Sequence, residues 1–143
     1  MKPWQKTAGL GAMVLALPLG LTACGGSGSS STSAAATVEH VSGTDAYRVR
    51  LSVEAARRLR VRTAVAATEA GRTVIPFSAV LYTPGGATCT YVSTKRRTFE
   101  REPIVVDHIE GDRAVLSSGP APGTRVVTVG AVELFGTESG MDG

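Results

Sequence analysis

The chain has 143 residues, enough for one domain rather than two when a domain takes about 100 to 200 residues. A formal charge of +3 invites a nucleic-acid reading, but Lys2 and Lys6 precede the apolar run Leu10 to Leu19, and without them 13 of the 15 basic residues face 12 acidic ones. A mature chain that is nearly neutral excludes nucleic acid as a partner on charge grounds, and 17 Gly with 7 Pro exclude a protein built of long helices.

Residues 1–23 have the layout of a secretory signal: a positive n-region at Lys2 and Lys6, an apolar h-region from Ala8 to Leu19, then small residues. Gly9, Gly11, Pro18 and Gly20 interrupt the apolar stretch, which is shorter than the ~20 residues of a spanning helix. It ends Leu21-Thr22-Ala23-Cys24, which resembles the lipobox of bacterial lipoproteins. The resemblance implies cleavage before Cys24, a diacylglycerol on its thiol and a fatty acyl group such as palmitate on the new amino terminus. One acyl chain gives only reversible binding, whereas two or more anchor a protein stably. The implied location is the extracytoplasmic face of the cell membrane.

Positions 24–44 are expected to form a flexible tether. Gly25 to Thr37 contains only Gly, Ser, Ala and Thr, and cannot bury enough surface to offset the entropy of ordering. A folded domain is expected over 45–137 and a disordered tail over 138–143. Within the domain, Leu51 to Leu59 reads as a brief helix with Ser52 as N-cap and Glu54 in the first turn. Val61 to Val65 alternates at period 2, and Thr73-Val74-Ile75 meets Pro76, which argues for a sheet edge or a strand end. Ala79 to Tyr82 and Thr88 to Ser93, joined through Thr83-Pro84-Gly85-Gly86, predict a hairpin. Thr98 to Ile109 reads as one continuing strand that turns at Glu110-Gly111-Asp112 into Arg113 to Ser117. Arg125 to Val129 is the last strand, and Ala131 to Phe135 has no clear type. The fold class expected is mainly β: a small antiparallel barrel or sandwich with one short helix.

The residues that carry chemistry are scattered singles. His40, Cys89, His108 and Met141 are too far apart in the chain to suggest a metal site, and no cofactor motif is present. His108 follows Asp107 and, on a regular strand, points to the opposite face, so neither a catalytic pair nor an enzyme is expected. With Cys24 lipidated, Cys89 has no disulfide partner and reads as a small buried hydrophobe. Arg57, Arg58, Arg60 and Arg62, then Lys95-Arg96-Arg97, form two basic clusters suited either to anionic lipid or to a solvated surface.

In order, Leu51 to Thr63, Thr73-Val74-Ile75-Pro76-Phe77-Ser78-Ala79-Val80-Leu81, Tyr91-Val92, and Gly123-Thr124-Arg125-Val126-Val127 with Gly130 and Leu134 resemble one family. It is the HlyD-like periplasmic adaptor subunits (membrane fusion proteins) of resistance/nodulation/division-type efflux pumps. In full-length adaptors a lipoyl domain, a helical hairpin and most of a β-barrel separate the first two segments. Here Ala66 to Arg72 is the whole connection, so the resemblance covers the membrane-proximal module alone. It implies a non-enzymatic accessory of an RND- or ABC-type membrane transporter, held to the bilayer at Cys24. The docking surface expected comprises Arg96, Arg97, Phe99 and Arg101, which mix charge with an aromatic on one segment. A free-standing cell-envelope lipoprotein that binds a small ligand or wall polymer is the alternative.

Overall fold

Tyr91 and Val92 are neighbours in the chain, and both are buried, yet they belong to different hydrophobic cores. On a strand successive side chains point to opposite faces, so a sheet covered on both sides carries continuous apolar runs. The computed structural model describes residues 35–140 and has this organisation. The proposed signal segment, Cys24, the tether as far as residue 34 and the last three residues lie outside the described residues.

The seven-stranded sheet contains β1 (Ala36–His40), β2 (Tyr47–Leu51), β8 (Thr98–Pro103), β7 (Thr88–Lys95), β11 (Arg125–Val129) and β3 (Arg62–Val65) in that spatial order, with β6 (Leu81–Tyr82) also paired to β7. A four-stranded sheet has the order β4 (Ala67–Glu69), β5 (Arg72–Pro76), β10 (Arg113–Ser118), β9 (Val105–Glu110). All pairings are antiparallel. The fold is therefore mainly β, two open sheets rather than a closed barrel among the described residues.

Between the sheets lies a core of Ile75, Val80, Val92, Ile104, Leu116 and Val126, with small Ala66, Ala79 and Ala114. On the other face of the larger sheet, Val49, Leu51, Tyr91, Phe99 and Val127 pack against α1 (Val53–Arg58) and α2 (Ala131–Glu138) through Ala55, Ala131 and Leu134. Val126 and Val127 divide between the two cores as Val92 and Tyr91 do. On the outer face of the small sheet, Val74 and Val115 are also buried. The register places them side by side where Arg113–Glu69 (2.6 Å) and Arg72–Asp107 (3.0 Å) run across neighbouring strands.

Several local expectations are met. Ser52 Oγ accepts from the Ala55 N–H at 3.1 Å and caps α1, with Glu54 in its first turn. The hairpins β6–β7 and β9–β10 form, and Pro76 ends β5. Other expectations need correction. The chain orders earlier than position 45, because β1 makes a five-pair ladder with β2 from Ala36↔Leu51 to His40↔Tyr47. Small side chains do not prevent this, since a ladder is made by the backbone once a partner strand is supplied. A second helix, α2, reaches Glu138, whose side chain is only 5% exposed, so the ordered part runs past 137. Thr98 to Ile109 is not one strand. At Ile104 the chain leaves the large sheet for the small one, tied by Ile104 N–H to Thr88 O at 3.1 Å and Thr88 Oγ1–H to Ile104 O at 2.7 Å. Gly130 has φ +88 at the start of α2, and a Cβ there would come within 3.0 Å of Val61 Cγ2, so the tight turn between β11 and α2 requires glycine.

Candidate functional site

The longest strand, β7, and its partner β8 form a hairpin whose root and tip differ in chemistry. At the root, register puts Cys89 opposite Pro103 and Tyr91 opposite Arg101, all on the face that the helices cover. Arg101 Nε donates to Glu138 Oε1 at 2.9 Å, and the Tyr91 hydroxyl donates to Glu138 Oε2. The Arg101 guanidinium also sits 5.9 Å from the centre of the Phe135 ring. One carboxylate from the end of α2 thus satisfies two groups of the hairpin and fixes the helix on the sheet.

Burial governs the titration of this root. The Tyr91 phenol is pushed far above its ordinary 10.0, first by burial and then by its bond to Glu138. The Cys89 thiol is raised above its ordinary 9.0 by burial, against the pull of Arg101. Such a thiol stays protonated at neutral pH and is a poor nucleophile. Cys89 is buried, as its sequence context predicts.

Beside the root lies a cleft of about 590 Å³ between the β1–β2 turn and the β6–β7 turn. Val41, Ala46, Cys89, Val92, Arg101 and Glu102 are among its lining residues, and burial raises the Glu102 carboxyl above its usual range. An apolar wall with a few polar groups suits a small ligand. Among the described residues, no group of three or more His, Cys, Asp or Glu is placed to hold a metal ion.

The tip is the turn Arg96-Arg97. Lys95 and Arg96 are exposed, and Arg97 is half-buried with φ +57 and its Nε unpartnered among the described residues. The four residues expected to form one docking surface are therefore separated. Phe99 is 5% exposed, opposite Val49 in the helix-side core, and cannot be a contact residue. Arg101 shares that face and is engaged by Glu138, which leaves Arg96 presented outward and Arg97 half-exposed at the turn. Alternation explains this: with Tyr91 and Val49 inward, Phe99 and Arg101 must be inward too, while Glu100 lies on the opposite face and holds Arg48 at 2.7 Å.

His108 also departs from expectation. A bulge in β9 lets its Nδ1 approach Asp107 Oδ2 to 2.8 Å, although adjacent strand residues ordinarily diverge. This contact and then Arg72 hold Asp107 below its usual carboxyl range. The pair is exposed on an edge strand of the small sheet, whereas Cys89 lies in the large sheet.

Glu138 was the residue sequence reasoning missed. The segment Ala131 to Phe135 carries an i, i+3 apolar pair at Ala131 and Leu134, which was the available signal for a packed helix.

Comparison with protein-family models, with curated proteins and with solved structures finds no match to this chain.

Proposed function

We propose that the protein is a lipid-anchored, extracytoplasmic, non-enzymatic accessory that docks on a membrane transporter of the RND or ABC type. The observation that carries this reading is the order of its parts. A lipobox-like Leu21-Thr22-Ala23-Cys24 is followed eleven positions later by a β unit. The capped helix at Ser52, the strand ending at Pro76, and the closing strand before Gly130 come in the sequence order that resembles the membrane-proximal module of HlyD-like adaptors. Eleven residues reach no more than about 40 Å even when fully extended, so a chain anchored at Cys24 works at the extracytoplasmic surface of a pump and does not bridge to a distant channel. Extraction of membranes in mild detergent should recover a polytopic transporter with the full chain. The same extraction from cells carrying Cys24→Ser should not. Recovery of the anchored protein without any transporter would remove this reading.

A second reading rests on the cleft beside Cys89 and Arg101, whose apolar wall and half-buried carboxyl at Glu102 suit a small ligand. In that case the protein is a free-standing envelope lipoprotein, and ligand binding protects Cys89 from thiol reagents.

A further inference from the structure

Three features of the chain converge at one end of the seven-stranded sheet. Ala35, the first described residue, accepts from the Ser52 N–H at 2.9 Å, and the Leu51 N–H next to it donates to Arg97 O at 2.9 Å. Register places Arg50 opposite Thr37 on one side and Thr98 on the other. The point where the chain arrives from Cys24 and the turn of the β7–β8 hairpin therefore lie together.

The same end is rich in uncompensated cations. Arg50, Lys95, Arg96 and Arg97 have no ion-pair partner among the described residues, as Arg57, Arg58, Arg60, Arg62 and Arg125 also have none, whereas Arg48, Arg72, Arg101 and Arg113 each hold a carboxylate. Glu54 is four positions from Arg50 and Glu100 three from Arg97, but Glu100 holds Arg48 and no ion pair joins either carboxylate to any of the four.

We infer that this end of the sheet rests on the bilayer and that Arg50, Lys95, Arg96 and Arg97 bind the phosphates of anionic phospholipid headgroups. The inference takes from the proposed function only the anchor at Cys24, not the transporter. A tether of about 40 Å at most keeps the sheet end near the headgroups, so the cations meet them at high effective concentration. Guanidinium and ammonium donors suit phosphate oxygens, and each such cation at an anionic surface strengthens association about fivefold. A protein partner suits this patch less well. Protein interfaces centre on aromatic and apolar side chains, and Phe99, the aromatic of this segment, is turned into the core.

The test uses the full chain carrying Trp4→Phe and Thr94→Trp, so that the tip holds its sole tryptophan whether or not the signal segment is removed. The protein is reconstituted with vesicles of brominated phosphatidylcholine, alone or mixed with phosphatidylglycerol. Tryptophan fluorescence should be quenched in the mixed vesicles. The quenching should drop to the phosphatidylcholine level in high salt or with Lys95→Gln and Arg96→Gln added. Equal quenching in both vesicle types, or none in either, would overturn the inference. Intact mass reports lipidation separately, and the dependence on phosphatidylglycerol reads the patch in either case. If quenching is absent but the two substitutions reduce recovery of a transporter, the patch belongs to a protein interface and not to the bilayer.

Discussion

The root and the tip of the β7–β8 hairpin are made from the same residue types and do opposite things. At the root, Arg101 is three-quarters buried, bonded to Glu138 and set against Phe135. At the tip, fewer than ten residues away in the chain, Lys95 and Arg96 have no partner among the described residues and stand in solvent. The helix α2 makes the difference. Where it covers the sheet, an arginine needs a carboxylate, because an unpaired buried charge is costly. Beyond the cover, water solvates the cation and leaves it available for contact. A basic residue in this chain is thus structural or available according to which element lies over it.

The largest test of that contrast is Phe99→Ala, which empties part of the helix-side core. It should cost about 3 to 5 kcal/mol in urea unfolding. A loss below about 1 kcal/mol would mean that Phe99 is exposed and would restore it to the docking surface. Next comes Glu138→Gln, which keeps the shape but removes the charge that Arg101 and Tyr91 share. Bonds to charged groups are worth about 1.5 to 3 kcal/mol each, so the midpoint of denaturation should fall clearly while Arg96→Gln leaves it in place.

Alkali should loosen the root as well. Cys89 and Tyr91 both have folded values raised above their ordinary 9.0 and 10.0, so the unfolded chain loses these protons first. The stability associated with them is full below pH 9 and declines as pH rises beyond it, by at most about 1.4 kcal/mol per pH unit for each proton. Tyr91→Phe should flatten the part of that decline that begins near pH 10. A profile unchanged by the substitution would show that the phenol is not held in its protonated form.

The tip should respond weakly. Arg97→Gly relieves a left-handed backbone at φ +57 and should shift stability by no more than about 1 kcal/mol. Arg96→Glu should stay within about 0.5 kcal/mol in thermal unfolding. A larger loss there would mean that the tip is packed, and the contrast between the two ends would disappear.

Much of the fold was readable because it depends on local rules. Ser52 is a helix cap by its side-chain oxygen, Thr83-Pro84-Gly85-Gly86 and Glu110-Gly111-Asp112 are turns by backbone preference, and short β-branched runs are strands. The β7–β8 turn was not readable. Lys95-Arg96-Arg97-Thr98 lacks the Gly or Asn that usually supplies a positive φ, and Arg97 adopts it only because Leu51 N–H bonds its carbonyl and the paired strands hold the turn.

The candidate docking surface failed for a related reason. Arg96, Arg97, Phe99 and Arg101 are close along the chain, but strand alternation and the position of α2 decide which of them face outward. The sequence by itself determined a β protein of short elements, the cap of α1, two hairpins and a buried Cys89, because each follows from propensity or hydrophobicity within a few residues. Only the tertiary structure decided that β1 completes the sheet, that the chain changes sheets at Ile104, and that Glu138 serves Tyr91 and Arg101 from 47 and 37 positions away. Those outcomes depend on which backbone and which charge arrive from elsewhere, and the residues that receive them carry no local mark of it.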